Sequence, residues 1–207
     1  MNDGKCIHKQ QLGVCIPSAE ALGGTPSRTN IPYWGGDIPW VTPSEITKLH
    51  SKYLHNTTEN ITATGLAGSA ARLLPAMSVV VTTRATLGEA AITTTPLATN
   101  QGFKNIVPNA TSNPLFTYYR IKTLKREMER LASGTTFLEI SKSDFERIEL
   151  VRPQKEEQER IATLLDCVDS IIERAEVELG KLKSIKAALT QDLLSGSVRI
   201  PDDLELL

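Results

Sequence analysis

From Ile161 onward, apolar residues recur at Leu164, Leu165, Val168, Ile171, Ile172, Ala175, Leu179, Leu182, Ile185, Leu189 and Leu193. Steps of three and four residues over about nine turns describe one stripe along one long helix. Pro153 stands at its start, Glu156, Glu157 and Glu159 complement the positive end of the dipole, and Ser195-Gly196 followed by Pro201 end it. Gly180 lies off the stripe and costs about 1 kcal/mol relative to alanine. About 40 residues at 1.5 Å rise make a rod roughly 60 Å long, more than the diameter of a small globular body. One face of such a rod must meet another helix. The other long helix the sequence offers, near residues 114–132, has about half that length, so pairing with a second chain is the expectation.

Ahead of residue 110 the pattern changes to short strands and long polar loops. "MSVVVTT" (77–83) and "EAAITTT" (89–95) are β-branched runs flanking the turn "RATLG", and "FKNIV" (103–107) is a third strand candidate. Glycine pairs at 23–24 and 35–36, with Pro26, Pro32, Pro39 and Pro43, punctuate a first third that reads as loop. Loops of that length are where recognition tends to sit. The fold class expected is therefore α+β: a globular, loop-rich body followed by a long C-terminal helix that pairs as a coiled coil.

The tetrad Asn113-Pro114-Leu115-Phe116 comes close to the Asn-Pro-Pro-aromatic loop with which adenine methyltransferases grip an extruded base. Its second proline is missing, and no G-x-G-x-x-G for S-adenosylmethionine occurs in the chain. Asn is a strong N-cap and Pro is favoured at the first helical position. Phe116, Leu124, Met128 and Leu131 follow at helical spacing until Ser133-Gly134. The tetrad reads as a helix start.

Other chemistry finds no constellation. His50 and His55 lie five apart rather than the i, i+4 of a helical zinc site. Neither a Ser-His-Asp arrangement nor G-x-S-x-G is present. Cys6, Cys15 and Cys167 are an odd number at wide spacing, which argues for a reducing cytoplasm and against a disulfide framework. No catalytic residue, metal or cofactor is expected. No stretch reaches the length of a membrane span, and "MNDGKCIHKQ" lacks the apolar core of a signal peptide. The formal net charge of -1 conceals an asymmetry: residues 1–150 hold 15 Lys+Arg against 12 Asp+Glu, residues 151–207 hold 8 against 12. A mildly basic body with an acidic tail suits nucleic acid on one part and protein on the other.

The segments "LGGTPSRTNIPYWGGDIPWVTPSEI" (22–46), "VVVTTRATLGEAAI" (79–92), "LATNQGFKNIVPN" (97–109) and "GTTFLEISKSDFERIELVRPQKEEQERIATLLDCVDSII" (134–172) resemble the DNA specificity subunit of type I restriction-modification enzymes. "KLKSIKAALTQDLLSGSVRI" (181–200) is similar to the end of that family's conserved helical region. The segments run in the family's order from about residue 12 to residue 200. Members are usually about twice as long, with two target-recognition domains and two helical regions, so this chain resembles a half-length subunit. Ahead of "LGGTPS" stands only "KQQLGVCIPSAEA", where the family commonly has a longer lead with a tryptophan.

The resemblance implies a non-catalytic DNA reader. Residues 1–150 would form the target-recognition domain, and residues 151–207 the helical region for dimerisation and for docking methyltransferase subunits. Its partners would be double-stranded DNA, modification subunits that flip and methylate the adenine, and a translocating nuclease subunit for restriction. A homodimer through antiparallel long helices would read a bipartite site. A rod of roughly 60 Å spans on the order of 18 base pairs at about 3.4 Å each, an upper guide to half-site separation. The alternative is a coiled-coil interaction protein of a restriction system with no DNA role.

Base edges are read by Arg to guanine and by Asn or Gln to adenine. Asn100 and Gln101, next to Lys104, offer the second kind, and Arg84 the first or a phosphate contact. Ser27, Arg28, Thr42 and Ser44 are candidates for backbone contact. Asn100 could equally hold its own loop. Stretches recognisable across a family that reads many sequences fit scaffold or phosphate contact better than base reading, which applies to "TNQG" and "TTRATLG". The less recognisable span 47–74 would then carry more specificity, with Lys48, His50, Lys52, Tyr53 and Arg72 as its candidates.

Overall fold

The computed structural model describes residues 8–11, 23–134 and 138–201; Cys6, Cys15 and most of the lead before residue 23 lie outside them. It divides into two compact units, Met1–Ala162 and Thr163–Leu207.

In the first unit, β1 (His8–Gln11) pairs antiparallel with β9 (Glu149–Arg152). The main sheet runs β3 (Tyr53–Leu54), β6 (Ala90–Thr93), β5 (Val79–Thr82), β8 (Phe103–Ile106). β5 lies between β6 and β8, antiparallel to both. Val79 and Val81 face one apolar cluster with Ile92 and Ile106, and Val80 faces another with Ala91 and Phe103. Burial on both faces is why this strand reads as an unbroken β-branched run rather than as an alternation. The three strands expected from the sequence are thus β5, β6 and β8.

A second sheet orders β4 (Glu59–Ile61), β2 (Trp34–Val41) and β7 (Ala98–Thr99). β2 corrects the reading of this region as loop. Gly35 supplies a φ of +78°, and the register shifts between Trp34 and Ile38, so the glycine pair makes a bulge and not a break. Pro39 is tolerated in a central strand because β7 joins only at Trp40 and Val41, leaving no neighbour on that side to miss its N–H. Trp40 and Ile61 pack beneath this sheet with Ala71 and Ala98.

Short helices close the body: α1 (Pro43–Thr47), α2 (Ala63–Ala67), α3 (Pro114–Thr123), α4 (Lys125–Leu131) and α5 (Lys142–Arg147). The single helix expected near 114–132 is two, broken at Leu124, whose side chain is buried in the same cluster as Ile121 and Met128. The Asn113 carboxamide accepts the N–H of Phe116 at 2.8 Å, so the tetrad starts a helix.

α6 (Lys155–Leu194) is one helix of 40 residues, and Gly196 at φ +74° follows its end. Ala162 is buried and Ile161 half-buried, whereas Leu164, Leu165, Val168, Ile171, Ile172, Leu179, Leu182, Ile185 and Leu189 all stand exposed. Ala175 is exposed with them, and Leu193 is half-buried. Leu182, Ile185, Leu189 and Leu193 line a shallow apolar groove. Charge along α6 is polarised. Glu156, Glu157, Glu159, Asp166, Asp169, Glu173, Glu176 and Glu178 face only Lys155, Arg160 and Arg174 in the first part, while Lys181, Lys183 and Lys186 meet only Asp192 in the second. No helix among the described residues is long and apolar enough to cross a membrane.

Candidate nucleic-acid interface

The end of β2 and the turn after β7 meet because their strands pair in parallel, Trp40 opposite Ala98 and Val41 opposite Thr99. The Val41 carbonyl then accepts the N–H of Asn100 at 3.1 Å. Beyond Val41, Thr42 and Glu45 close a tight turn. The Glu45 carboxylate accepts from the Thr42 N–H at 2.8 Å, the Thr42 hydroxyl at 2.9 Å and the Thr58 N–H at 2.7 Å. With its proton given to Glu45, Thr42 Oγ1 accepts from the Ser44 hydroxyl at 3.0 Å.

A strap of chain over residues 23–27 crosses this turn. Gly24 donates to the Thr99 carbonyl at 2.8 Å, and the Trp40 indole N–H donates to the Gly24 carbonyl at 2.9 Å. A Cβ on Gly23 would stand 1.5 Å from the Asn100 carbonyl oxygen, so only glycine fits there. The Thr25 hydroxyl donates to Gln101 Oε1 at 2.7 Å, and the Gly102 N–H donates to Asn100 Oδ1 at 2.8 Å. Gly102 lies against the Pro43 ring and its carbonyl accepts the N–H of Thr83. Of the residues expected to read DNA, Thr42, Ser44, Asn100 and Gln101 are therefore brought together, with Arg84 one residue from Thr83. Thr25 joins them without a sequence signal of its own.

Arg84 begins a tight turn at the end of β5. Ala85 follows at φ +63°, held by a hydrogen bond from its N–H to the Leu138 carbonyl at 2.9 Å. Arg84 Nε lies 3.6 Å from Glu139, with both side chains nearly half exposed. A loose, exposed pair of this kind leaves the guanidinium available to another anion.

Arg28 sits differently. Both of its terminal nitrogens donate to the Glu59 carboxylate, and its guanidinium lies 3.8 Å from the centroid of the Trp34 ring. Trp34 in turn meets Trp40 edge-on at 5.1 Å. The hydrogen bond with Arg28 holds Glu59 below the usual carboxylate range, and Glu59 raises Arg28. Arg28 thus folds the strap onto the second sheet. Glu59, Trp34 and Trp40 escaped the sequence reading. No period in the sequence marks the tryptophan pair, because the register shift between Trp34 and Ile38 is what folds the two rings together. Ser27 is exposed, its hydroxyl 2.9 Å from that of Thr29.

The remaining candidates are dispersed. Tyr53 lies on β3 and Lys104 on β8, the two edges of the main sheet, about 14 Å apart across three strand spacings. Lys52 Nζ is 3.3 Å from the Tyr119 hydroxyl. Burial pushes Lys104 down, against the pull of nearby Glu139. Lys48 is exposed after α1, and exposed Arg72 follows buried Ala71, which packs against Gly24 of the strap. Among the described residues no group of His, Cys, Asp or Glu is placed to hold a metal ion.

Residues 19–184 match the model of the type I restriction modification DNA specificity domain. The chain is 36% identical over 171 residues to the type I restriction enzyme MjaIX specificity subunit of Methanocaldococcus jannaschii, covering 82% of this chain and 40% of that protein. It is 31% identical over 183 residues to the HindI specificity subunit of Haemophilus influenzae, covering 85% and 39%. The chain thus spans about two fifths of the length of these relatives. In fold it is similar to a structure solved in work on complex assembly and conformational transition of the type I R-M system, with a TM-score of 0.67 at 21% identity, covering 93% of this chain and 46% of the other. The HsdS subunit from Thermoanaerobacter tengcongensis gives a TM-score of 0.61 at 20% identity, covering 93% and 45%.

Proposed function

This chain belongs to the family of type I restriction modification DNA specificity domains, and from that premise we propose that it is the DNA-recognition component of a restriction-modification system. In this reading residues 1–150 read one half of a bipartite site in cytoplasmic DNA. Residues 151–207 pair with a second copy and dock methyltransferase subunits, which a nuclease subunit can join. Methyl transfer belongs to those partners, and this chain binds and positions.

The observation that carries the reading is the extent of the family match, which covers the body and most of the long helix in one run. The knitted surface of Thr25, Thr42, Ser44, Asn100 and Gln101 supports it, since it presents short polar side chains on a rigid base of strand ends. Pairing through α6 is supported by its exposed stripe. Each half-exposed Leu or Ile contributes about 1 kcal/mol when its remaining area is covered. The direction of pairing follows from charge. Antiparallel copies lay the acidic part of one helix on the basic part of the other, whereas parallel copies would set acid on acid.

The test is a methylome. The chain is co-expressed with methyltransferase subunits of a type I system, and methylated adenines are mapped by single-molecule sequencing. A palindromic, interrupted motif that depends on this chain is the expected result, because two-fold protein symmetry is mirrored in the DNA. Methylation indifferent to the chain would remove the recognition role.

A further inference from the structure

Asn100 and Gln101 reach the interface with each side-chain oxygen already accepting one hydrogen bond. Asn100 Oδ1 takes the Gly102 N–H, and Gln101 Oε1 takes the Thr25 hydroxyl. Each carboxamide has left its –NH2 group, and neither –NH2 makes a hydrogen bond among the described residues. To read adenine a carboxamide must accept from N6 and donate to N7 at once. Each oxygen keeps one lone pair, so the combination is open only along the single direction that the residue's own turn leaves free.

The pair thus presents four uncommitted N–H donors against two half-used acceptors, and such an excess of donors suits a ligand that only accepts. Phosphodiester oxygens are such a ligand, and amide side chains are among their usual partners. The adjoining carboxylate does not oppose this with bare oxygens, since Glu45 receives hydrogen bonds from the Thr42 N–H, the Thr42 hydroxyl and the Thr58 N–H. The turn is also fixed in place, by Gly23 pressed on the Asn100 carbonyl and Gly102 pressed on Pro43. Fixed donors suit an element that sets register on a duplex.

We propose that Asn100 and Gln101 hold a backbone phosphate of the DNA and position the chain without reading a base. The assignment rests on the recognition role argued above and decides between the adenine and phosphate readings that the sequence leaves open.

The experiment uses the chain assembled with its methyltransferase subunits, comparing wild type with Gln101→Lys and Gln101→Glu in methylome and duplex binding at several salt concentrations. Gln101 is exposed, so both variants keep the fold, which an unchanged urea midpoint checks. Lysine can only donate. With it the methylated motif stays the same, and the dependence of log affinity on log salt steepens by about one. Glutamate keeps an acceptor for Thr25 but turns an anionic oxygen toward the DNA. Binding then weakens by about tenfold or more at every sequence, with the motif unchanged. A Gln101→Lys motif that is relaxed or altered at one base position overturns the proposal, because it marks a base contact. Wild-type affinity in Gln101→Glu overturns it as well. Wild-type methylation that ignores the chain overturns the recognition role itself, and this assignment with it.

Discussion

Gln158 accepts the backbone N–H of Asn113 at 3.0 Å and donates to the carbonyls of Pro153 at 2.8 Å and Thr111 at 3.2 Å. Its side chain is 1% exposed, so these bonds replace water almost completely. Arg152 grips the same loop, donating to Thr111 Oγ1 at 2.6 Å and Ser112 Oγ at 2.8 Å. The start of α6 and the start of α3 are thereby fastened to one loop.

Gln158→Ala should lower the unfolding free energy by about 2–3 kcal/mol, since a fully buried side chain and its three hydrogen bonds to the loop are lost together. Urea denaturation would show a lower midpoint at unchanged slope. Gln158→Glu should not rescue it, because a carboxylate would face the Pro153 and Thr111 carbonyls. A wild-type midpoint in either variant would show that the loop does not depend on this side chain.

Glu89 bonds Lys122 at 2.6 Å and Lys125 at 2.7 Å, tying the start of β6 to α3 and α4. Hydrogen bonds from Lys122 and then Lys125 hold its carboxyl below the usual range. The folded pKa is thus below the unfolded one. The stability it gives is complete above about pH 5 and is lost as pH falls through the lowered value. Both lysines are more than a third exposed, so Glu89→Gln should cost only about 0.5–1 kcal/mol at pH 7. Urea titrations of both proteins should converge as the pH is taken below the carboxylate range.

The turn after β5 contains Ala85 at φ +63° and Gly88 at φ +75°. An L residue in the left-handed region costs about 1–2 kcal/mol, part of which glycine returns through the unfolded chain. Ala85→Gly should therefore leave the protein between unchanged and about 1 kcal/mol more stable. Gly88→Ala should lose about 1–2 kcal/mol, since it adds that strain to a Cβ placed 3.0 Å from Lys125. Thermal melts of the two variants should move in different directions or, for Ala85→Gly, not at all.

Aspartate at Ile172 and Leu179, residues about half exposed on the stripe, should convert a dimer to a monomer. Sedimentation equilibrium measures this directly. The same measurement on the wild type should show weaker association as salt is raised, as attraction between the acidic and basic parts of α6 is screened. A wild-type chain that is monomeric at every concentration would remove the pairing.

The long helix was legible because its stripe is periodic and its ends carry ordinary signals, the acidic first turn and Gly196. Three of the main sheet's four strands were legible, since β5 is buried on both faces and so spells its strand in β-branched residues, whereas the two-residue β3 is too short to leave a pattern. β2 was not, because its bulge and its half-paired stretch license the very Gly and Pro that usually end strands. The break at Leu124 was hidden for a related reason, since a buried leucine keeps the apolar spacing on both sides of it. At the interface the residue types were visible in the sequence but their state was not. Only the fold shows that Glu59 pairs with Arg28 and that Thr25 and Gly102 each donate to one of the amide oxygens beside them.

The proposed pairing through the acidic-to-basic run of α6 would bear on inheritance as well as on assembly. If α6 pairs as proposed, such a tail would select its mate by charge order and apolar spacing, with no reference to what the mate's body reads. A cell that holds two genes with such tails and different bodies would form both parental pairs and a hybrid, adding a new asymmetric target without a new protein. In a proposed pair of identical copies the opposite constraint would hold: a substitution in one reading loop would change both half-sites at once, so the target would shift in mirrored steps.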